Sequence, residues 1–234
     1  MNDEIPENLQ KYLIEPDVLL VDKPSGPSSF DVIRFLRRET GIRKIGHAGT
    51  LDPLATGLMI LGIQTGTKKL TQYLKLNKTY IATIQLGIAT TSGDTQGEIM
   101  REQEITSPPE EKLVREVIKG LVGEHEVIPP VYSALKVDGR PLYIYARKNT
   151  CPIFMPIKHM GVTDARFVSQ EKDAEGKWQI KCELAVTSGT YIRSLAEMVG
   201  ERLAVPATLS ALRRTVIGEH RIEQAASLID MGMV

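Results

Sequence analysis

Apolar residues recur along this chain in two periods, and the switches between them mark out its elements. Val18 to Val21 is a short apolar run closed by Lys23-Pro24-Ser25-Gly26-Pro27, which predicts a strand running into a loop. Val32, Ile33 and Leu36 share one face of a helix through about Glu39 that Ser28 or Ser29 can cap and Gly41 can end. Arg34, Arg37 and Arg38 then fall largely on the opposite face. Leu58 to Ile63 is apolar throughout and predicts a buried strand. Tyr80, Ala82, Ile84 and Leu86 alternate with more polar residues, the period of a half-buried strand. Ser107-Pro108-Pro109-Glu110 has the spacing of a capping box ahead of a helix that reaches Lys119 and stops at Gly120.

The clearest alternation is Trp178, Ile180, Cys182, Leu184 and Val186, and the turn at Asp173 to Gly176 can close it into a hairpin. Ile192, Leu195, Ala196, Val199 and Leu203 line the inner face of a helix over 191–203. Adjacent hairpin strands mixed with separate helices predict an α+β fold, with a largely antiparallel mixed sheet flanked by helices. No repeat, low-complexity tract or long Gly/Ser linker interrupts the pattern, so residues 1–234 are expected to form a single domain.

Composition changes this picture little. The chain is 42% hydrophobic and 25% charged, ordinary for a globular protein, and no apolar run approaches the roughly 20 residues that span a bilayer. Its polar, acidic start does not resemble a secretory signal, so a cytoplasmic location is expected. Cys151 and Cys182 lack the spacing of a zinc site or a disulfide framework, and no glycine fingerprint for a nucleotide appears, so neither a metal nor another cofactor is expected.

Charge is more informative than its zero total suggests. Residues 34–80 hold nine basic residues against two acidic ones, and residues 131–170 hold six against two. Residues 101–126 compensate with seven glutamates against four basic residues. Any one such region reads first as a solvated face, but two of them flanking the same candidate site weaken that reading against phosphate-binding surface.

The most unusual segment is Gly46-His47-Ala48-Gly49-Thr50-Leu51-Asp52-Pro53-Leu54-Ala55-Thr56-Gly57. Its glycines permit a tight loop whose backbone approaches a ligand closely. Asp52 precedes a proline, which biases it toward extended backbone, and a buried strand follows. A carboxylate so placed is a candidate nucleophile or general base; equally, an Asp-Pro turn can use that side chain to bond nearby amides.

This segment, together with others in order along the chain, resembles the TruB-type tRNA pseudouridine-55 synthases. Leu20 to Gly26 resembles that family's opening strand and loop, residues 46–57 its catalytic loop, and Lys78-Thr79-Tyr80 its tyrosine motif. Thr91 to Gly97 resembles its acidic turn, and Pro130 to Lys136 with Tyr143 to Arg147 its RNA-gripping insertion, which spans about 130–160 here. Ser188 to Leu195 resembles its arginine motif, and Leu212-Arg213-Arg214-Thr215 its closing segment.

The resemblance implies a pseudouridine-synthase catalytic domain that isomerises uridine in the T-loop of tRNA, at position 55, without a cofactor. It implies that Asp52 is the catalytic carboxylate, attacking the sugar or the base or taking a sugar proton. Arg193 is then expected to hold Asp52 ionised, and Tyr80 to stack on the uracil and assist removal of its C5 proton. His47 is expected to shape the loop or touch RNA, Lys23 to meet a phosphate or a loop carboxylate, and Tyr191 to pack beneath the base or in the core. Gly49, Thr50, Lys136 and Arg147 join them as candidate substrate contacts.

The expected partner is the T-stem and loop of tRNA, bound by a monomer, with no membrane or metal. The chain is expected to differ from many bacterial relatives in lacking a C-terminal RNA-binding domain of the PUA type. It also departs at Lys148 to Lys158, which is more apolar than the family pattern. Two other functions fit less well: a guide-RNA-dependent synthase subunit, and a non-catalytic protein that helps tRNA fold.

Overall fold

The computed structural model describes residues 4–133, 135–148, 150, 152 and 154–233. Its principal strands are β1 (Val18–Lys23), β2 (Thr56–Ile63), β3 (Lys78–Leu86), β4 (Lys158–Lys172), β5 (Trp178–Val186) and β6 (Ala207–Ile217). Its longer helices are α1 (Ser29–Thr40), α2 (Glu111–Lys119) and α3 (Ile192–Arg202). The chain forms two compact units, Met1–Ile81 with Leu212–Val234 and Ala82–Ala211.

In the first unit β1 pairs antiparallel with β2, Leu20 opposite Ile60, so that two apolar runs meet. A parallel pairing sets Arg213 and Arg214 of β6 beside Thr56 and Gly57 of β2. Val18, Leu20, Leu58, Ile60 and Ile217 are fully buried together with Ala48. Burying each of the larger side chains contributes about 1.5–3 kcal/mol relative to leaving it in water.

Helix α1 begins as its sequence prescribes. The Ser28 hydroxyl accepts from Asp31 N–H, and Asp31 accepts in return from the Ser28 amide at 2.8 Å. The Ser28 side chain first, and Arg34 after it, hold the Asp31 carboxyl well below the usual carboxylate range. Gly41 ends the helix in left-handed backbone, φ 74°, donating to the Arg37 carbonyl at 3.0 Å.

In the second unit β5 pairs with β4, and β4 with Gly123–Val127, all antiparallel. The hairpin turn is closed by Asp173, whose Oδ1 accepts from the Glu175 and Lys177 amides at 2.9 Å. Ile180, Cys182 and Leu184 of β5 are fully buried, as are Leu195, Ala196 and Val199 of α3.

The capping box expected at Ser107 does not form. Helix α2 starts at Glu111 with Glu110 in extended backbone and no side-chain cap. Two consecutive prolines hold the chain extended beyond Ser107 and carry its hydroxyl away from the first turn. Among the described residues no helix is long and apolar enough to cross a membrane.

Candidate active site

Residues 48–55 link a short strand, Ile45–His47, to β2, and almost every tie on this loop runs to its main chain. The Ala48 amide donates to the Ile60 carbonyl at 2.9 Å. Gly49 has φ +101°, a conformation that favours glycine, and the chain turns there. The Ser29 hydroxyl, at the start of α1, accepts from the Leu51 amide at 2.8 Å and donates to the Leu51 carbonyl at 3.0 Å. The Ala55 amide then closes a turn on the Asp52 carbonyl at 3.0 Å. Asp52 itself is half-buried at the head of this turn.

Two buried cations brace the loop. Lys23, the last residue of β1, is fully buried, and its ammonium donates to the carbonyls of Pro24, Pro53 and Ala55 at 2.8, 3.3 and 2.6 Å. Burial pushes its pKa down to about 8, while the charge of Asp52 acts in the opposite direction. Arg214, on β6, is 1% exposed. Its Nε donates to the Leu58 carbonyl at 2.7 Å, and its two terminal nitrogens to the Thr50 and Gly49 carbonyls at 3.4 and 3.3 Å. The carbonyls on both sides of Asp52 are therefore held by positive charge.

His47 lies half-buried beside this cluster, with Nδ1 enclosed and without a hydrogen-bond partner among the described residues. Its pKa is lowered, chiefly by burial and then by the Arg214 charge, with the Gly49 backbone opposing. Thr50 is exposed at the loop surface. Tyr80 is buried on β3, two residues beyond Lys78. The Lys78 ammonium caps the carbonyls of Leu74 and Leu76, and burial with the nearby Arg214 charge lowers its pKa to about 8.

The second unit holds the other candidates. Arg193 is the second residue of α3 and is buried. It donates to the carbonyls of Ser92 and Tyr132 at 2.9 and 2.8 Å and lies 3.7 Å from Asp94 Oδ2. Asp94 is itself fixed by the Ser92 hydroxyl at 2.6 Å and the Gln96 amide at 3.1 Å. The acidic turn singled out in the sequence is thus a socket for this arginine. Tyr191 caps α3 and is half-buried, its amide 3.1 Å from the Met160 sulfur. Lys136 is exposed on a small hairpin with Arg140–Pro141. Arg147 ends the helix Leu142–Arg147; its side chain lies outside the described residues, as do Ala134, Asn149, Cys151 and Ile153 of the insertion.

The first unit therefore gathers Lys23, His47, Gly49, Thr50 and Asp52 into one cluster. Arg214 is the member whose role was not anticipated. Its sequence signal is alternation: Leu212 and Arg214 are buried while Arg213 between them is half-exposed. Arg213 instead pairs with Asp22 through both terminal nitrogens, at 3.1 and 2.6 Å.

Comparison with known proteins identifies the family. Residues 37–192 match the model of the TruB family pseudouridylate synthase N-terminal domain. A tRNA pseudouridine synthase B of Leifsonia xyli subsp. xyli is 40% identical over 218 residues, which are 92% of this chain and 72% of that protein. One from Opitutus terrae is 42% identical over 216 residues, 90% of this chain and 85% of that one. A chain of a solved Cbf5–Nop10–Gar1 complex superposes with a TM-score of 0.67 at 26% identity. The match covers 97% of this chain and 56% of the solved one. A braced aspartate loop, a family model spanning most of the chain and relatives at 40% and 42% identity lead to one assignment: this chain belongs to the TruB family of pseudouridylate synthases.

Proposed function

We propose that this protein converts uridine to pseudouridine at position 55, in the T-loop of tRNA, and that Asp52 is the group that acts on the extruded nucleoside. The relatives that match most of its length are tRNA pseudouridine synthases B. The reaction breaks the bond between N1 and the sugar carbon, turns the base over, and joins C5 to the same carbon. The C5 proton leaves to solvent and N1 gains one, so reactant and product are isomers and no electrons are exchanged.

The observation that carries the reading is the bracing of the Asp52 loop. Flanking carbonyls are fixed by Lys23 and Arg214, and the Lys23 ammonium feels the Asp52 charge. A loop fixed on both sides of its carboxylate residue holds that residue in a set direction before substrate arrives. In this reading Tyr80 supplies a face for the uracil. Extruding the base costs a few kcal/mol of unstacking, which stacking and hydrogen bonds in the pocket offset.

The test is tritium release from a T-arm transcript labelled at uridine C5, with purified protein and no guide RNA or cofactor added. Release with stoichiometric pseudouridine supports the proposal. No release by folded protein that binds the transcript would favour a guide-dependent or purely tRNA-binding role.

Ionic pairing with the RNA backbone has its own signature. Arg34, Arg38, Arg43, Lys44, Lys136 and Arg140 are exposed, as phosphate ligands must be. Affinity for the T-arm is expected to fall steeply with salt. Replacing both Arg43 and Lys44 by glutamine should lower the log–log slope by about 1 for each phosphate that is no longer neutralised. A slope unchanged by that pair would remove this face from the RNA interface.

A further inference from the structure

Arg214 is a costly residue to bury. A guanidinium withdrawn from water loses several kcal/mol of hydration, and structures normally return it through a carboxylate partner. Here the acceptors of Arg214 among the described residues are main-chain carbonyls, at Gly49, Thr50 and Leu58. An apolar side chain of similar length would fill the same space without the penalty, so core packing alone does not account for it.

The placement of the three acceptors is more telling. Leu58 lies within β2 and pairs with Asp22 across the sheet, a fixed point. Gly49 and Thr50 lie in the loop, where no strand or helix ladder determines the path. The planar fork of arginine spans both, anchored by its short bond to Leu58 and reaching the loop with its other two nitrogens. On the far side of Asp52, Lys23 holds Pro53 and Ala55. The segment carrying Asp52 is thus fixed at residues 49–50 by one cation and at 53–55 by the other.

The backbone of Arg214 is equally committed. A side chain on Gly57 would meet the Arg214 carbonyl, which ties the strand register to the same place. The Arg214 charge is also felt by Lys23, His47 and Lys78, every other buried or half-buried basic group named around the loop.

We infer that Arg214 is a positioning residue for the isomerisation: its buried guanidinium sets the main-chain path of residues 49–52 and so the direction in which Asp52 faces the nucleoside. This rests on the reading of Asp52 as the reacting group. The residue acts through the loop and touches no reacting atom, so its loss should appear in the chemical step and leave RNA binding intact. Lysine keeps the charge but places it on one nitrogen, without the planar fork that spans Leu58 and the loop, which separates geometry from electrostatics.

The experiment compares single-turnover rate and equilibrium affinity on T-arm RNA for wild type, Arg214→Lys, Arg214→Met and Arg214→Ala. Asp52→Asn is run in parallel. Misplacing a reacting group by about 1 Å costs on the order of 100-fold in rate. Arg214→Lys is therefore expected to lose about 100-fold in the chemical step, with affinity within about threefold of wild type. Added guanidinium ion should restore at least about tenfold of the rate of Arg214→Ala without changing its affinity, which general loss of stability would not allow.

If Arg214→Met fails to fold, Arg214→Lys carries the test. A rate for Arg214→Lys within about threefold of wild type, or a defect confined to affinity, would overturn the inference. An active Asp52→Asn enzyme would overturn the reading beneath it. An inactive Asp52→Asn beside a fully active Arg214→Lys would overturn this inference alone.

Discussion

Replacing Asp52 by asparagine is expected to lower pseudouridine formation by at least about 10⁴-fold, the order lost when a reacting side chain is removed from a catalytic unit. The substitution keeps shape and changes little else. The turn at this position is closed by the Asp52 carbonyl, a main-chain group that asparagine retains. The flanking carbonyls remain with Lys23 and Arg214. Lys23 loses the charge that supports its protonated form, so its pKa should fall further.

Removing one negative charge from an RNA-binding site cannot weaken its attraction for phosphates, so affinity should be unchanged or slightly higher. Tritium release, filter binding and thermal melting on the same preparation check the three parts. Residual turnover above about one percent of wild type, with normal melting, would reassign the reacting group.

The second large effect is on stability and concerns Gly57. Its φ of +106° already strains any residue with a side chain, and a Cβ there would lie 2.3 Å from the Arg214 carbonyl and 2.7 Å from its amide. Both obstacles are backbone, so neither can rotate away. Gly57→Ala must prise β6 from β2 where the two strands meet, at an expected cost of roughly 3–5 kcal/mol, a large fraction of a domain's stability.

Gly26→Ala is the matched control. It has nearly the same φ, +103°, but nothing within 4 Å of the added carbon, so only the conformational cost of about 1–2 kcal/mol applies. Urea unfolding of the two variants separates steric from conformational strain. Equal midpoints would show that the clash with Arg214 relaxes freely.

What could be read from the sequence follows from how local each signal is. Helix α1 was legible because its cap, its buried stripe and its terminating glycine all lie within fourteen residues. Strands β1 and β2 are short apolar runs bounded by turn residues, and β5 alternates without a fault. Strand β4 runs for fifteen residues yet gives little pattern. Its register shifts between Val162 and Asp164 and again between Phe167 and Ser169, and each shift breaks the alternation.

The candidate site shows the same division. Asp52, Tyr80 and Arg193 stand in recognisable motifs, whereas the partners that fix the loop are carbonyl oxygens, which no residue type announces. Lysine and arginine normally read as exposed, so the burial of Lys23 and Lys78 has no signal in residue type, and that of Arg214 has only its alternation with Leu212. The Ser107 capping box failed for a related reason: its spacing was right, but two prolines between cap and helix impose a path that spacing alone does not encode.

The reliance of the loop on main-chain oxygens has a consequence for how this protein can change. Every amino acid carries the same carbonyl, so the clamps at positions 50, 53, 55 and 58 are indifferent to what is attached beside them. Thr50 is exposed and Leu54 is half-buried, and neither side chain holds the loop in place. Both can be randomised in a directed-evolution library without untying the scaffold, which makes them the natural dials for retuning which uridines are accepted.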